Sequence, residues 1–151
     1  MRNGPRMKRL IRQTSNQVLN AQVIEQAGAL CLRTQGEERH VLLVGSRRNG
    51  RWGLPKGHLD DGEASHVAAA REAFEEAGVR GAASDAIVGS FLYSKDSSPN
   101  RYRVIVHLLE VEAIEDIYPS QGVRPRQWFT LSEAASVVGH DGLRDLLRTL
   151  L

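Results

Sequence analysis

The sequence predicts an α+β fold, a mixed β-sheet with helices packed on it, from three observations. Val23 to Arg33 and His40 to Ser46 are apolar runs of strand length, and Ile87 to Tyr93 and Arg103 to Val111 repeat the pattern later in the chain. Between the two pairs, the alanine-rich stretch from about Ala64 to Ala77 is strongly helix-forming and meets Gly78, a residue suited to a left-handed helix cap. Long alternation of strand and helix is absent, which argues against a doubly wound parallel sheet.

Each remaining element has its own local signal. Glu37-Glu38-Arg39 makes the turn between the first two strands, and Arg48-Asn49-Gly50 turns the chain again, since Asn-Gly readily supplies positive φ. Trp52 opens a short third strand that ends at Pro55. Gly57 to Gly62, with two glycines and Asp60-Asp61, reads as a loop leading into the helix. The polar stretch Lys95 to Asn100 joins the second pair of strands, and Gln127 to Thr130 is a last short one. Leu131-Ser132-Glu133 opens a short helix; Gly142 to Leu151 forms another, with Leu143, Leu146, Leu147 and Leu150 on one face.

A chain of 151 residues is one domain's worth, enough to bury a core without disulfides or a structural metal. Residues 1–19 have no sustained apolar period and are expected to form a basic, flexible tail ahead of a domain spanning 20–151. The composition, 41% hydrophobic and 25% charged, is that of a soluble globular protein, and no apolar run approaches the roughly 20 residues of a membrane helix. No membrane partner is expected. A lone cysteine, Cys31, rules out an intramolecular disulfide and fits a reducing cytoplasm.

The formal charge of +2 comes from 20 basic and 18 acidic residues, but Arg2, Arg6, Lys8, Arg9 and Arg12 all precede the first acid, Glu25. Without those five the balance is 15 against 18, or −3, so the basic character belongs to the tail. Three readings of it stand open: a solvated tail, an arm for nucleic acid or another anionic partner, and an organellar presequence. Nucleic acid is the lesser expectation, and composition leaves the oligomeric state undecided.

The helix carries the chemistry. On a wheel of about 100° per residue with Glu72 at zero, Glu76 falls near 40° and Glu75 near 300°, so three carboxylates share one face. Val67, Ala70, Phe74 and Ala77 fall between about 140° and 220° and are expected to face the core, with Ser65, Ala68 and Ala69 leaving room beside the acidic patch. Three like charges at this spacing destabilise a helix unless cations neutralise them. Hard oxygen donors suit Mg²⁺ or Mn²⁺, and magnesium commonly shares its shell with substrate phosphates.

The surroundings of that cluster are specific. Gly57-His58-Leu59-Asp60-Asp61-Gly62-Glu63, seven residues, then Arg71-Glu72-Ala73-Phe74-Glu75-Glu76-Ala77-Gly78-Val79 fill every fixed position of the Nudix box, G-x5-E-x7-R-E-U-x-E-E-x-G-U with U apolar. The chain therefore resembles the Nudix (MutT-like) hydrolases. The resemblance implies their fold, mixed β-sheets sandwiched between α-helices, and hydrolysis of a diphosphate linkage with Mg²⁺ or Mn²⁺. It implies Glu72 and Glu76 as metal ligands, with the backbone carbonyl of Lys56 often completing the shell, and Glu75 as a further ligand or the general base. Glu63 and Arg71 are read as a structural pair pinning the loop to the helix, and Gly57 and Gly78 as structural glycines of the motif.

Ala29 to Arg33, Val41 to Ser46, Trp52 to Gly57 and Gln127-Trp128-Phe129 are similar to the diphosphoinositol and diadenosine polyphosphate hydrolase branch. This implies a small-molecule diphosphate substrate: dinucleoside polyphosphates first, diphosphoinositol polyphosphates second. Ile24-Glu25-Gln26 stands where the animal diphosphoinositol enzymes are basic, which weakens the second. Arg47, Arg48, Arg51 and Lys56 precede the box, and Arg101 and Arg103 sit on the later hairpin; Arg48, Arg51, Lys56 and Arg103 are the candidates for holding phosphate oxygens. Trp52 and Tyr93 are candidates for stacking on a base, with packing as the competing role. The 5′ end of RNA is the alternative substrate, and a non-catalytic nucleotide sensor the alternative class.

Overall fold

The structure, a computed structural model, describes residues 21–151 except position 48. The expectations for the tail at 1–19 and for Arg48 lie outside the described residues. No described helix is long and apolar enough to cross a membrane.

Among the described residues, nine strands and three helices follow one another as β1 (Val23–Gln35), β2 (Glu38–Gly45), β3 (Trp52–Gly53), β4 (Lys56–His58), α1 (Ser65–Ala77), β5 (Val79–Arg80), β6 (Ala83–Ser94), β7 (Arg101–Glu110), β8 (Ala113–Ile114), β9 (Arg126–Thr130), α2 (Leu131–Val137) and α3 (Asp141–Arg148). The main sheet is mixed. β1 runs parallel to β7 from Val23↔Arg101 to Leu32↔Glu110, and β6 pairs antiparallel with β7. The other edge of β1 is divided: its end pairs with β2 through Leu32↔Val41, and its start with β4 through Gln26↔His58, Ala27↔Gly57 and Gly28↔Lys56. β2 also carries β9 and the short β3.

The expected loop at Gly57 to Gly62 thus begins as a strand. β4 was illegible because Lys-Gly-His has no apolar alternation; its backbone groups take partners from β1. β5 and β8, two residues each, are equally silent in the sequence.

Period-two alternation along β1 builds two cores. Ala27, Ala29 and Cys31 face α1, packing with Ala68, Ala69, Ala73 and Ala77. Leu30 and Leu32 face the other way, toward Ala134 and Ala135 of α2, Val138, and Leu143 and Leu147 of α3. A strand buried on both faces is a near-continuous apolar run, the reason β1 was so readable.

The wheel expectation for α1 needs correction. Its buried residues are Ala68, Ala69, Glu72, Ala73, Glu76 and Ala77, whereas Val67 is 49% exposed. Glu72 and Glu76 therefore lie in the face that meets the sheet. Alanine removes little side-chain bulk from water, but it lets two backbones approach closely, and β1 answers with its own small residues. Phe74 instead carries the guanidinium of Arg80 over its ring at 4.3 Å.

The helix ends are held by distant residues. Gly78 at φ 68 caps α1, its N–H donating to the carbonyls of Ala73 and Phe74. Arg126 donates to Ala77 O at 2.7 Å and Glu115 O at 2.8 Å, closing the C-terminus from β9. At the other end Ser65 Oγ lies 2.7 Å from Nε2 of the buried His107, whose Nδ1 faces the carbonyls of Ser84 and Ala86 where β6 bulges.

Candidate active site

The loop between β4 and α1 is organised by one guanidinium. Arg71 donates to both oxygens of Glu63, at 3.0 and 2.8 Å, to the carbonyl of His58 at 2.9 Å and to Glu72 Oε1 at 2.8 Å. Glu63 also accepts from the Asp60 N–H at 3.0 Å. These bonds hold the Glu63 carboxyl down to about 2, Arg71 first and the Asp60 amide second, and they raise Arg71 further still. The loop is thus fixed to the helix at two points, the Glu63 carboxylate and the carbonyl of His58.

Glu72 and Glu76 are each only 9% exposed, one helical turn apart, and both reach toward β4. The Lys56 N–H donates to Glu76 Oε1 at 3.0 Å, and Arg124 reaches Glu76 Oε2 at 3.4 Å. Glu72 lies so close to Gly57 that a Cβ there would overlap its carboxylate, with Oε2 only 2.7 Å away. Burial raises both carboxyls above their ordinary value, and their mutual repulsion adds for Glu72. Glu75 stands at the edge of this face, its side chain 42% exposed and 3.5 Å from Arg71.

This donor set fits a hard divalent cation. Glu72 and Glu76 bring hard carboxylate oxygens together beside the Lys56–Gly57 backbone, and these buried carboxylates already draw two guanidiniums, Arg71 and Arg124, as counter-charges. In the conformation described, no three acidic, imidazole or thiol side chains among the described residues converge closely enough to hold an ion.

Beyond β4 the surface opens into a cleft of about 690 Å³. Glu76 is the one residue of the glutamate trio on its wall; Glu72 and Glu75 do not line it. Arg47, Arg51, Lys56, Lys95 and Arg124 line it against only two acids, Glu76 and Asp96. Burial lowers the Lys56 ammonium below the usual lysine range, and Lys95 and Arg124 push the same way against the attraction of Glu76 and Glu72. Tyr93 is pushed up to about 12 by burial, and its hydroxyl donates to the buried Gln26 at 2.7 Å. His140 packs on Tyr93 with ring centres 4.5 Å apart, and burial followed by the charges of Lys56 and Arg51 lowers its pKa.

Of the sequence candidates, Arg47, Arg51, Lys56, Trp52 and Tyr93 reach this cleft. Arg103 does not line it: it lies opposite Glu25 in the β1–β7 register and forms an ion pair with it at 2.7 Å. Its neighbours Tyr102 and Val104 point into the core, so alternation turns Arg103 outward. Trp128 lies beneath the Arg33 guanidinium at 4.0 Å, partly buried in the core under α1. Arg124, Lys95, His140 and Gln26 were not singled out by sequence reasoning. They reach the site from loops and a strand start that only the tertiary fold brings near, and Lys95 read simply as part of a polar turn.

A family model described as NUDIX domain matches residues 25–150. The chain is 35% identical over 116 residues to the Bos taurus protein named diphosphoinositol polyphosphate phosphohydrolase 3-beta, spanning 76% of this chain and 68% of that one. It is 34% identical over 116 residues to the Rattus norvegicus diphosphoinositol polyphosphate phosphohydrolase 2, spanning 62% of that protein. Among solved structures, a C. elegans Ap4A hydrolase superposes with a TM-score of 0.66 at 23% identity, over 85% of this chain and 96% of that one. The MutT protein of Methanosarcina mazei gives 0.63 at 22% identity, over 86% and 94%. At those identities the solved structures speak for the fold.

Proposed function

Because the chain belongs to the Nudix hydrolase family, we propose that it is a divalent-cation-dependent enzyme that hydrolyses the diphosphate linkage of dinucleoside polyphosphates. The observation that carries this reading is the buried pair Glu72 and Glu76 against Lys56–Gly57, at the foot of a cleft with five cationic side chains.

Glu72, Glu76 and the Lys56 carbonyl would hold Mg²⁺ or Mn²⁺. A cation bound there neutralises phosphate oxygens and makes water more acidic. Arg51, Lys56 and Arg124 take the phosphate oxygens of the substrate, and the cleft wall keeps the chain of phosphates in line with the glutamates. Glu75, the least buried of the trio, accepts a proton from water as its oxygen bonds to phosphorus. The phosphorus–bridging oxygen bond breaks, and the leaving phosphate departs as an anion. Arg71 holds Glu63 and Glu72 in place throughout and takes no proton.

Diphosphoinositol polyphosphates are the second reading, favoured by the cationic lining and by the names of the relatives. The Ile24-Glu25-Gln26 start of β1 argued for too few cations, yet Lys95 and Arg124 join from elsewhere in the chain. Incubating the purified protein with Mg²⁺ and a panel of both substrate classes decides between them. Release of phosphate-bearing products from dinucleoside polyphosphates supports the first reading; release from diphosphoinositol compounds alone supports the second, and release from neither sinks both.

A further inference from the structure

Two of the cleft's lysines are mounted on one aromatic platform. The Tyr93 and Tyr102 rings stack with centres 5.1 Å apart and planes 22° apart, and both tyrosines are 7% exposed. Lys56 Nζ lies 4.8 Å from the centre of the Tyr93 ring, and Lys95 Nζ lies 4.5 Å from that of Tyr102. The platform cannot easily shift: Tyr93 donates to the buried Gln26, which β1 holds between β4 and β7, and His140 packs against Tyr93.

The two ammoniums rest on rings that stack on each other, and both lysines line the same cleft. Like charges side by side are unfavourable unless an anion joins them or the rings hold them, and here rings hold them before any anion arrives. A lysine at the tip of a polar hairpin would ordinarily lose much rotamer freedom on binding; one already resting on a ring loses less.

We infer that Lys95, presented by the Tyr93–Tyr102 stack beside Lys56, is the specificity-determining residue for substrates carrying phosphates beyond the pair that is cleaved. Lys56 adjoins the glutamates through its own backbone, so it serves the reacting phosphates. Lys95, the residue that follows β6, lines the same cleft and meets the next phosphates along. Those can belong to a polyphosphate chain or to an inositol ring, since the recognised chemistry is the same. This inference rests on the reading of the cleft as a diphosphate site.

The test compares the wild-type protein with Lys95→Gln on dinucleoside polyphosphates of three to six phosphates and on a diphosphoinositol polyphosphate. Lys95→Gln should raise KM about tenfold for the members with most phosphates, with little effect on the shortest, and the change should fall in KM more than kcat. Lys95→Arg should recover most of the loss. Tyr102→Phe keeps the ring under Lys95 and should keep the discrimination between long and short substrates, and loss of that discrimination in Tyr102→Phe would count against the ring's role.

Equilibrium binding of inorganic tripolyphosphate and of orthophosphate gives a readout independent of turnover. Affinity for tripolyphosphate should fall about tenfold in Lys95→Gln, with orthophosphate unaffected. A KM increase equal across all substrates, or unchanged tripolyphosphate binding, overturns the assignment of Lys95. Absence of hydrolysis by the wild type overturns the proposed function instead, and the tripolyphosphate comparison still decides the role of Lys95.

Discussion

Replacing Gly57 by alanine tests whether the glutamates and the β4 backbone form one closely fitted unit. The added methyl would fall on the Glu72 carboxylate, whose Oε2 is 2.7 Å from the new atom and whose other atoms are nearer. Normal contact needs roughly 3.5 Å, so the carboxylate must retreat by about 1 Å or β4 must lift from β1. Glu72 has little room to retreat, being held by Arg71 at 2.8 Å and buried beside Glu76.

Overpacking of this kind costs about 1–3 kcal/mol, or a fall in Tm of about 3–10 °C in a domain of this size. A misplacement of about 1 Å in a group that organises the reacting atoms costs about a hundredfold in turnover. Thermal melts and steady-state kinetics with Mg²⁺ measure both. Gly57→Ala combined with Glu72→Asp should recover the melting temperature, because the shorter side chain withdraws the carboxylate, yet leave turnover low. Gly53→Ala serves as the stability control, since its methyl would meet nothing within 4 Å. A Gly57→Ala protein that melts as wild type and turns over within about threefold of it refutes the close fit.

Two further predictions concern the carboxylates. Glu75→Gln should lower kcat by about 10²–10⁴ while leaving the melting temperature within a degree or so, and retained activity would reassign the base. Burial raises the folded-state pKa of Glu72 and Glu76 above the ordinary 4.5, so their favourable state for folding is present below that value and is lost as pH rises through the folded pKa. In metal-free protein, Glu72→Gln or Glu76→Gln should therefore raise Tm near neutral pH, with the gain fading toward about pH 4. Glu63 has the opposite sign: its carboxyl is held down to about 2, so its contribution is present above 4.5 and lost as pH falls toward 2. Glu63→Gln should lower Tm near neutral pH and converge on wild type in acid; melts of the three variants across pH check both slopes, and slopes of like sign would contradict the assigned environments.

The sequence made the strands and α1 legible where local pattern and tertiary environment agree. β1 is buried on both faces and reads as an unbroken apolar run, and Gly78 marks the helix end because its φ of 68 suits glycine. The side of α1 that packs was misread for a physical reason. Hydrophobicity placed Val67 and Phe74 toward the core, but close packing of alanines against Ala27 and Ala29 mattered more, and it carried two glutamates inward with it. A helix wheel scores the polarity of a face and has no term for how near the partner backbone can come.

That reversal changes what the glutamate cluster is. A solvated acidic face would leave its carboxylates near their ordinary pKa and indifferent to the neighbouring strand. Here burial makes the charged state of Glu72 and Glu76 costly, and Arg71, Arg124 and the Lys56 amide offset only part of that cost. The same strand that supplies the amide begins the cleft, so the place where negative charge is least comfortable adjoins the place where Lys56 and Arg51 concentrate positive charge. On the proposed function, a substrate diphosphate arrives there with its cation: the cation would meet the glutamates while the phosphate oxygens would meet the basic side chains. The motif lies within one helix and its loop, whereas Lys95 and Arg124, which line the cleft from far apart in the chain, carry the proposed selection of what else the substrate must bear.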